Sequence, residues 1–230
     1  MSGKLIVFEG TDGSGKSTQF RLACQALKER RADFGTMVFP RYQEESSALV
    51  RLYLGGAFGT HPSDVNAYAA STFYAVDRYA GYKQDWGGYY EGGGLMVADR
   101  YTTSNAVHQA SKLPEGEREE FFRWLADFEY GRLGLPQPDL VLWMDMPLEL
   151  SVANLRQREA DTHTQADIHE VDTGYLSTCR QAAAQAATSI RPSQWPKHFN
   201  AAAATGWNCS SSAPKAKWRW RRFRRWATAS

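Results

Sequence analysis

The sequence predicts an α/β fold, a three-layer arrangement with a parallel sheet in the middle and helices on both faces. Three observations carry that prediction. Short apolar runs at 5–8, 36–39, 95–98 and 140–144 alternate with amphipathic stretches at about 16–30, 44–54, 64–84, 103–111, 117–132 and 147–160. A Gly-rich loop joins the first apolar run to the first amphipathic stretch. Pro40, Pro62, Pro114, Pro136, Pro138 and Pro147 fall at or near the joints between elements.

The elements follow in order. Leu5-Ile6-Val7-Phe8 is continuously apolar, as suits a parallel strand buried on both faces. The loop after it reads Gly10-Thr11-Asp12-Gly13-Ser14-Gly15-Lys16-Ser17-Thr18 and meets G-x-x-x-x-G-K-[ST] at every fixed position. Its glycines let backbone N–H groups curl around phosphate oxygens. Lys16 reaches the β/γ-phosphates, and the Ser17 hydroxyl suits Mg²⁺. Phe20, Leu22, Ala23, Ala26 and Leu27 then recur at helical spacing, so a helix begins at the loop and adds its positive dipole end. The loop therefore predicts a nucleoside triphosphate site.

Ligands of such sheets sit beyond the carboxyl ends of the strands. The second apolar run ends in Phe39-Pro40-Arg41-Tyr42, the third in Asp99-Arg100-Tyr101 and the fourth in Asp145-Met146-Pro147. Arg41 and Arg100 are candidate clamps for an anionic acceptor, because guanidinium matches phosphate bidentately. Asp99 ends a buried strand, where an acid is costly unless paired or near Mg²⁺. Asp12, inside the phosphate loop, calls for a partner such as an acceptor hydroxyl or a metal-bound water. Tyr74 and Arg78 stand four apart on one helix face, suited to stack on a base and bond its edge, or to ordinary packing beside a solvated arginine.

Bulk properties bound the rest. The chain has 230 residues, 43% of them hydrophobic, enough for one domain with a real core. No apolar run approaches the ~20 residues of a membrane span, and no targeting segment is expected at the start. Cys24, Cys179 and Cys209 are odd in number and far apart, which fits a reducing, cytoplasmic setting. The net charge of +2 conceals an asymmetry: residues 1–187 hold 18 Lys/Arg against 25 Asp/Glu, a net −7, whereas 188–230 hold nine Lys/Arg and no acid. The folded body is thus acidic, and nucleic acid is expected to meet the chain only through the basic tail.

Together the motifs resemble the thymidylate kinase family. The stretches that carry the resemblance are LIVFEGTDGSGKST (5–18), FPRY (39–42), FYAVDRY (73–79), DRYTTSN (99–105), GLPQPDLVLWMDMP (134–147) and DIHEVDTGYL (167–176). It covers about 1–187, with a lid at about 155–172. It implies a P-loop kinase fold, an ATP donor with Mg²⁺, dTMP as acceptor and dTDP as product, and commonly a homodimer. It implies that Gly10, Gly13, Ser14, Gly15, Lys16, Ser17 and Thr18 hold ATP phosphates. Ser17, Asp99 and, through water, Asp12 would serve the metal. Asp12, Arg41 and Arg100 would meet dTMP, with Tyr74 or its neighbour Phe73 stacking on thymine. Arg78, Ser104 and Asn105 would contact the base, His108 would crowd the sugar 2′ carbon, and Glu170 would reach the acceptor or a metal-bound water. The loop has no arginine between Asp12 and Gly15, so Arg156 or Arg158 of the lid would supply charge to the transferring phosphoryl group.

Residues 188–230 read differently. Ile190 is the one aliphatic larger than alanine there, and five of eight tryptophans fall in this segment. No buried strand is expected from it. An out-of-frame translation, a disordered basic tail and a divergent folded end all stand open. The alternatives for the whole chain are a deoxynucleoside kinase, another nucleoside monophosphate kinase, and a nucleotide-binding module without catalysis.

Overall fold

The computed structural model describes residues 2–162, 173–189 and 199–203. The chain runs β1 (Lys4–Glu9), α1 (Lys16–Glu29), β2 (Gly35–Val38), α2 (Ala48–Leu54), α3 (Ala67–Gly81), α4 (Gly87–Glu91), β3 (Leu95–Asp99), α5 (Thr102–His108), α6 (Arg118–Ala126), β4 (Leu140–Asp145), α7 (Leu148–Thr162), α8 (Thr173–Ser189) and β5 (Phe199–Ala203). Two of the expected long helices change pitch at their ends. Tyr82–Trp86 and Asp127–Arg132 are π turns that continue α3 and α6.

The strands form one parallel sheet in the order β2-β3-β1-β4-β5. The chain leaves β1 toward β2 on one side and later crosses to β4 on the other. The carboxyl end of β1 therefore lies where the winding reverses, the place where such sheets bind ligands. Successive side chains on a strand point to opposite faces. Leu5 and Val7 accordingly join Met96, Ala98, Trp86, Tyr90 and Tyr101 in one core. Phe8 joins Val97, Leu142 and Cys24 in another, with Phe20, Ala23 and Leu27 of α1 packed on it. The unbroken apolar runs are thus explained by burial on both faces, and the three layers are present. A further cluster of Val107, Trp143, Tyr175, Cys179 and Ala183 ties α8 to α5 and β4.

Residues 188–230 were expected to hold no buried strand; Phe199–Ala203 pairs in parallel with β4 as the edge strand of the sheet, from Val141↔Phe199 to Asp145↔Ala203. Ladder bonds are made by the backbone, which an alanine run supplies as well as a valine run does. Hydrophobic patterning alone does not reveal such a strand.

Candidate active site

The phosphate loop follows β1 and opens α1. Gly13 has φ +75°, and a Cβ there would lie 2.2 Å from the Ser151 carbonyl oxygen of α7. Only glycine fits both the left-handed backbone and that approach. Asn154 Nδ2 donates to the Gly13 carbonyl at 2.8 Å, so α7 braces the loop from outside. Gly15, with φ 78°, is the N-cap of α1, and Ser17 and Thr18 lie exposed in the first turn. The buried Lys16 ammonium pairs with Asp99 and lies 3.4 Å from Ser17 Oγ. Burial, together with the nearby Arg100 charge, lowers the Lys16 pKa against the pull of Asp99.

Arg100 is the hub of the site. It follows β3 with φ 68°, a left-handed conformation that a non-glycine residue holds only when its surroundings impose it. Its amide donates to the Phe8 carbonyl at 3.0 Å. Its guanidinium pairs with Asp12, lies 3.6 Å from Glu9 Oε1 and meets His108 Nε2 at 3.0 Å. Burial opposes the charge, but Asp12, Glu9 and Asp99 hold the Arg100 pKa above its ordinary value. Glu9 is fully buried at the end of β1 and accepts from Gly10 N at 3.0 Å, Thr103 Oγ1 at 2.9 Å and Ser104 Oγ at 2.7 Å.

Beside this hub lies a cleft of about 280 Å³. Asp12, Lys16, Ser17, Asp99 and Arg100 line one end. Tyr42, Tyr74, Arg78, Ser104, Asn105, His108 and Gln109 line the rest. Its floor rests on Glu129, which has no solvent exposure. Glu129 accepts from Arg78 Nε at 2.7 Å and Nη2 at 2.5 Å, from Thr102 Oγ1 at 2.8 Å and from Asn105 Nδ2 at 3.2 Å. Burial works against the Arg78 charge, but Glu129 holds its pKa above the usual value. Tyr74 stands edge-on to Tyr53, with ring centroids 6.5 Å apart.

Three expected contacts fall elsewhere. Phe73 is turned from the cleft and packs on Tyr53 and Phe58, so Tyr74 is the aromatic on the wall. Arg41 does not reach the cleft. Its Nε lies 3.1 Å from Asp77 Oδ1, its Nη1 pairs with Asp85, and its Nη2 donates to Ser46 Oγ at 2.8 Å. These partners draw it to a separate pocket against β2 and Trp86. Of the two lid arginines, Arg158 lines the cleft, whereas Arg156 is an exposed residue of α7 outside that wall. Glu170 and most of the lid lie outside the described residues.

The arrangement can hold two phosphate-bearing molecules at one focus, one on the loop and one against Arg100. A family model described as thymidylate kinase matches residues 8–190. The chain belongs to the thymidylate kinase family. A thymidylate kinase from Mycobacterium tuberculosis is 34% identical over 170 residues, covering 73% of this chain and 78% of that protein. One from Synechococcus sp. is 30% identical over 192 residues, covering 77% and 84%. The solved thymidylate kinase of Candida albicans superposes with a TM-score of 0.62 at 18% identity, covering 89% of this chain and 86% of that one, and shows the shared fold.

Against this family frame, four residues of the site escaped sequence reasoning. Glu9 had a signal: it is an acid closing a buried apolar run, the same feature that singled out Asp99. Tyr42 follows Arg41 at a strand end and was quoted without a role. Gln109 is 1% exposed on the cleft wall, and its Oε1 has no hydrogen-bond partner among the described residues. Glu129 had no local signal, because it lies 51 residues from the arginine it holds.

Proposed function

We propose that this chain transfers the γ-phosphate of ATP to dTMP, with ATP on the 10–18 loop and dTMP in the cleft from Arg100 to Tyr74. The observation that carries the reading is the shared focus: Lys16 and Arg100 line one cleft, Lys16 paired with Asp99 and Arg100 with Asp12 and Glu9. Lys16 and the loop amides take the donor phosphates. Arg100 takes the acceptor phosphate. That phosphate is already an anionic nucleophile, so positioning and charge neutralisation suffice and no general base is required.

Toward the base, Tyr74 offers a stacking face. Arg78, braced by Glu129, offers N–H groups to a carbonyl, and the Gln109 Oε1 is an acceptor for a ring N–H. Asn105 and Ser104 complete the wall, and His108 lies beside the sugar and phosphate end. Ser17 and Asp99 are oxygen donors of the kind Mg²⁺ takes together with substrate phosphates. No cluster of three metal-binding side chains occurs among the described residues, so they fit a metal brought with the nucleotide rather than a protein cage. When bound, Mg²⁺ neutralises phosphate charge. Arg158, on the cleft wall, is the arginine for the transferring group, and a homodimer would bury Leu49 and Leu52 of α2 with Val76 and Tyr79 of α3, all exposed here. A reducing, cytoplasmic setting suits the free thiols of Cys24 and Cys179.

The test is steady-state turnover of the full chain with ATP and Mg²⁺ over dTMP, dUMP, dCMP, AMP and GMP. The highest kcat/KM is expected for dTMP. Equal or faster turnover of another monophosphate overturns the assignment, and ATP binding without turnover of any of them favours a binding module.

A further inference from the structure

His108 is buried at the carboxyl end of α5, between Arg100 and α8. Its Nε2 lies 3.0 Å from Arg100 Nη1. A guanidinium has only donors, so Nε2 must present its lone pair. In a neutral imidazole the proton then sits on Nδ1, which faces Cys179 Sγ of α8 at 3.6 Å. Burial pushes the Cys179 thiol up to about 12, so it keeps its own proton and donates to Ser111 Oγ at 3.4 Å. Ser111 donates in turn to the His108 carbonyl at 2.8 Å, and Tyr175 of α8 donates to the same oxygen at 2.6 Å. Each donor in this ring finds an acceptor in one tautomer alone. The other tautomer would set Nε2–H against a guanidinium N–H in a buried site, which is costly.

We infer that His108 is a positioning residue for Arg100: α8 holds the imidazole as its Nδ1–H tautomer, and the Nε2 lone pair orients the guanidinium toward the acceptor phosphate. Asp12 accepts a hydrogen bond from Arg100 Nη2, whereas Glu9, 3.6 Å from Nη1, acts on that nitrogen by charge and constrains its direction weakly. The imidazole lone pair lies in the ring plane and constrains it strongly. The inference rests on the reading of Arg100 as the phosphate anchor and goes beyond a steric role for His108 at the sugar. It makes α8, the helix that follows the lid, a determinant of acceptor affinity.

Calorimetric binding of dTMP and of thymidine to the full chain separates the two roles, because thymidine lacks the phosphate. In His108→Asn the amide reaches only the Nδ1 position. It is expected to weaken dTMP about tenfold more than it weakens thymidine, which shares any sugar contact but lacks the phosphate. In His108→Gln the amide reaches the Nε2 position, and dTMP affinity is expected to recover to within about threefold of the parent. Cys179→Ala removes the acceptor for Nδ1–H and leaves His108 in place; it is expected to weaken dTMP alone by about threefold. Equal weakening of dTMP and thymidine, no weakening in His108→Asn and Cys179→Ala, or a Gln variant as weak as Asn overturns the inference. Arg100→Ala is the control. If it leaves the dTMP-to-thymidine ratio unchanged, the anchor reading itself fails. If it collapses the ratio while the Asn variant does not, only the role of His108 fails.

Discussion

Glu129→Gln is expected to destabilise the chain more than any surface change. The amide preserves shape and one acceptor oxygen but removes the charge. Glu129 is fully buried and takes two bonds from Arg78, one from Thr102 and one from Asn105. Arg78 is itself 1% exposed, so its cation would remain in the interior without a counter-ion. Breaking one side of a buried ion pair costs about 3–5 kcal/mol. At about 2–4 °C per kcal/mol for a chain of this size, Tm should fall by roughly 10 °C. Urea unfolding followed by circular dichroism measures the loss directly, with an unchanged slope as the check that compactness is preserved. The paired change Arg78→Met with Glu129→Gln should regain part of it, because the buried cation is gone while the amide oxygen still accepts from Thr102 and Asn105. A loss below about 1 kcal/mol in Glu129→Gln, or a double variant as unstable as the single, would refute the view that the cleft floor depends on this charge pair.

Three further outcomes are expected. Arg158→Ala should lower the single-turnover rate by about 10³-fold or more while Arg156→Ala stays near the parent, and the reverse pattern would assign the lid charge to Arg156. Gly13→Ala forces a left-handed alanine against the Ser151 carbonyl, so it should raise the KM for ATP and cost about 1–3 kcal/mol in thermal melts. Burial first, then the Arg100 charge, lowers the His108 pKa to about 4 from an ordinary 6.5. The unfolded chain therefore takes up the proton before the native one. Stability should be full above about pH 6.5 and fall by on the order of 3 kcal/mol as pH drops toward 4, a dependence that His108→Phe should flatten in urea titrations.

The parallel core was legible because burial on both faces leaves no polar positions in a strand, as in Leu5-Ile6-Val7-Phe8. The donor half of the site was legible because one contiguous loop carries it. The acceptor half was legible in its residue types but not in its partners. Arg41 and Arg100 look alike in the sequence, each just beyond a strand, yet Asp77 and Asp85 draw the first away, and they lie 36 and 44 residues further along. Glu129 sits in a stretch where Glu119, Glu120, Arg123, Asp127 and Arg132 face solvent, and only the fold brings it beneath Arg78. Phe73 and Tyr74 differ by one helical step of about 100°, which spacing alone could not resolve without a fixed neighbour such as Phe58, which meets Phe73. β5 was illegible because its pairing resides in the backbone and its alanines leave no hydrophobic signature.

The ion pairs at the phosphate end have a consequence for how charge is balanced during a turnover. Lys16 and Arg100 meet three carboxylates, those of Asp99, Asp12 and Glu9. Counted as ions, this end of the cleft carries one more negative charge than positive. An arriving phosphate does not find unspent cations; it must trade places with a carboxylate as counter-ion. Two nucleotides together bring several more negative charges, so positive charge has to arrive with them, through the divalent cation that accompanies ATP and through Arg158. Either nucleotide alone leaves the account unbalanced, which makes productive assembly of the site a joint property of donor, metal and acceptor.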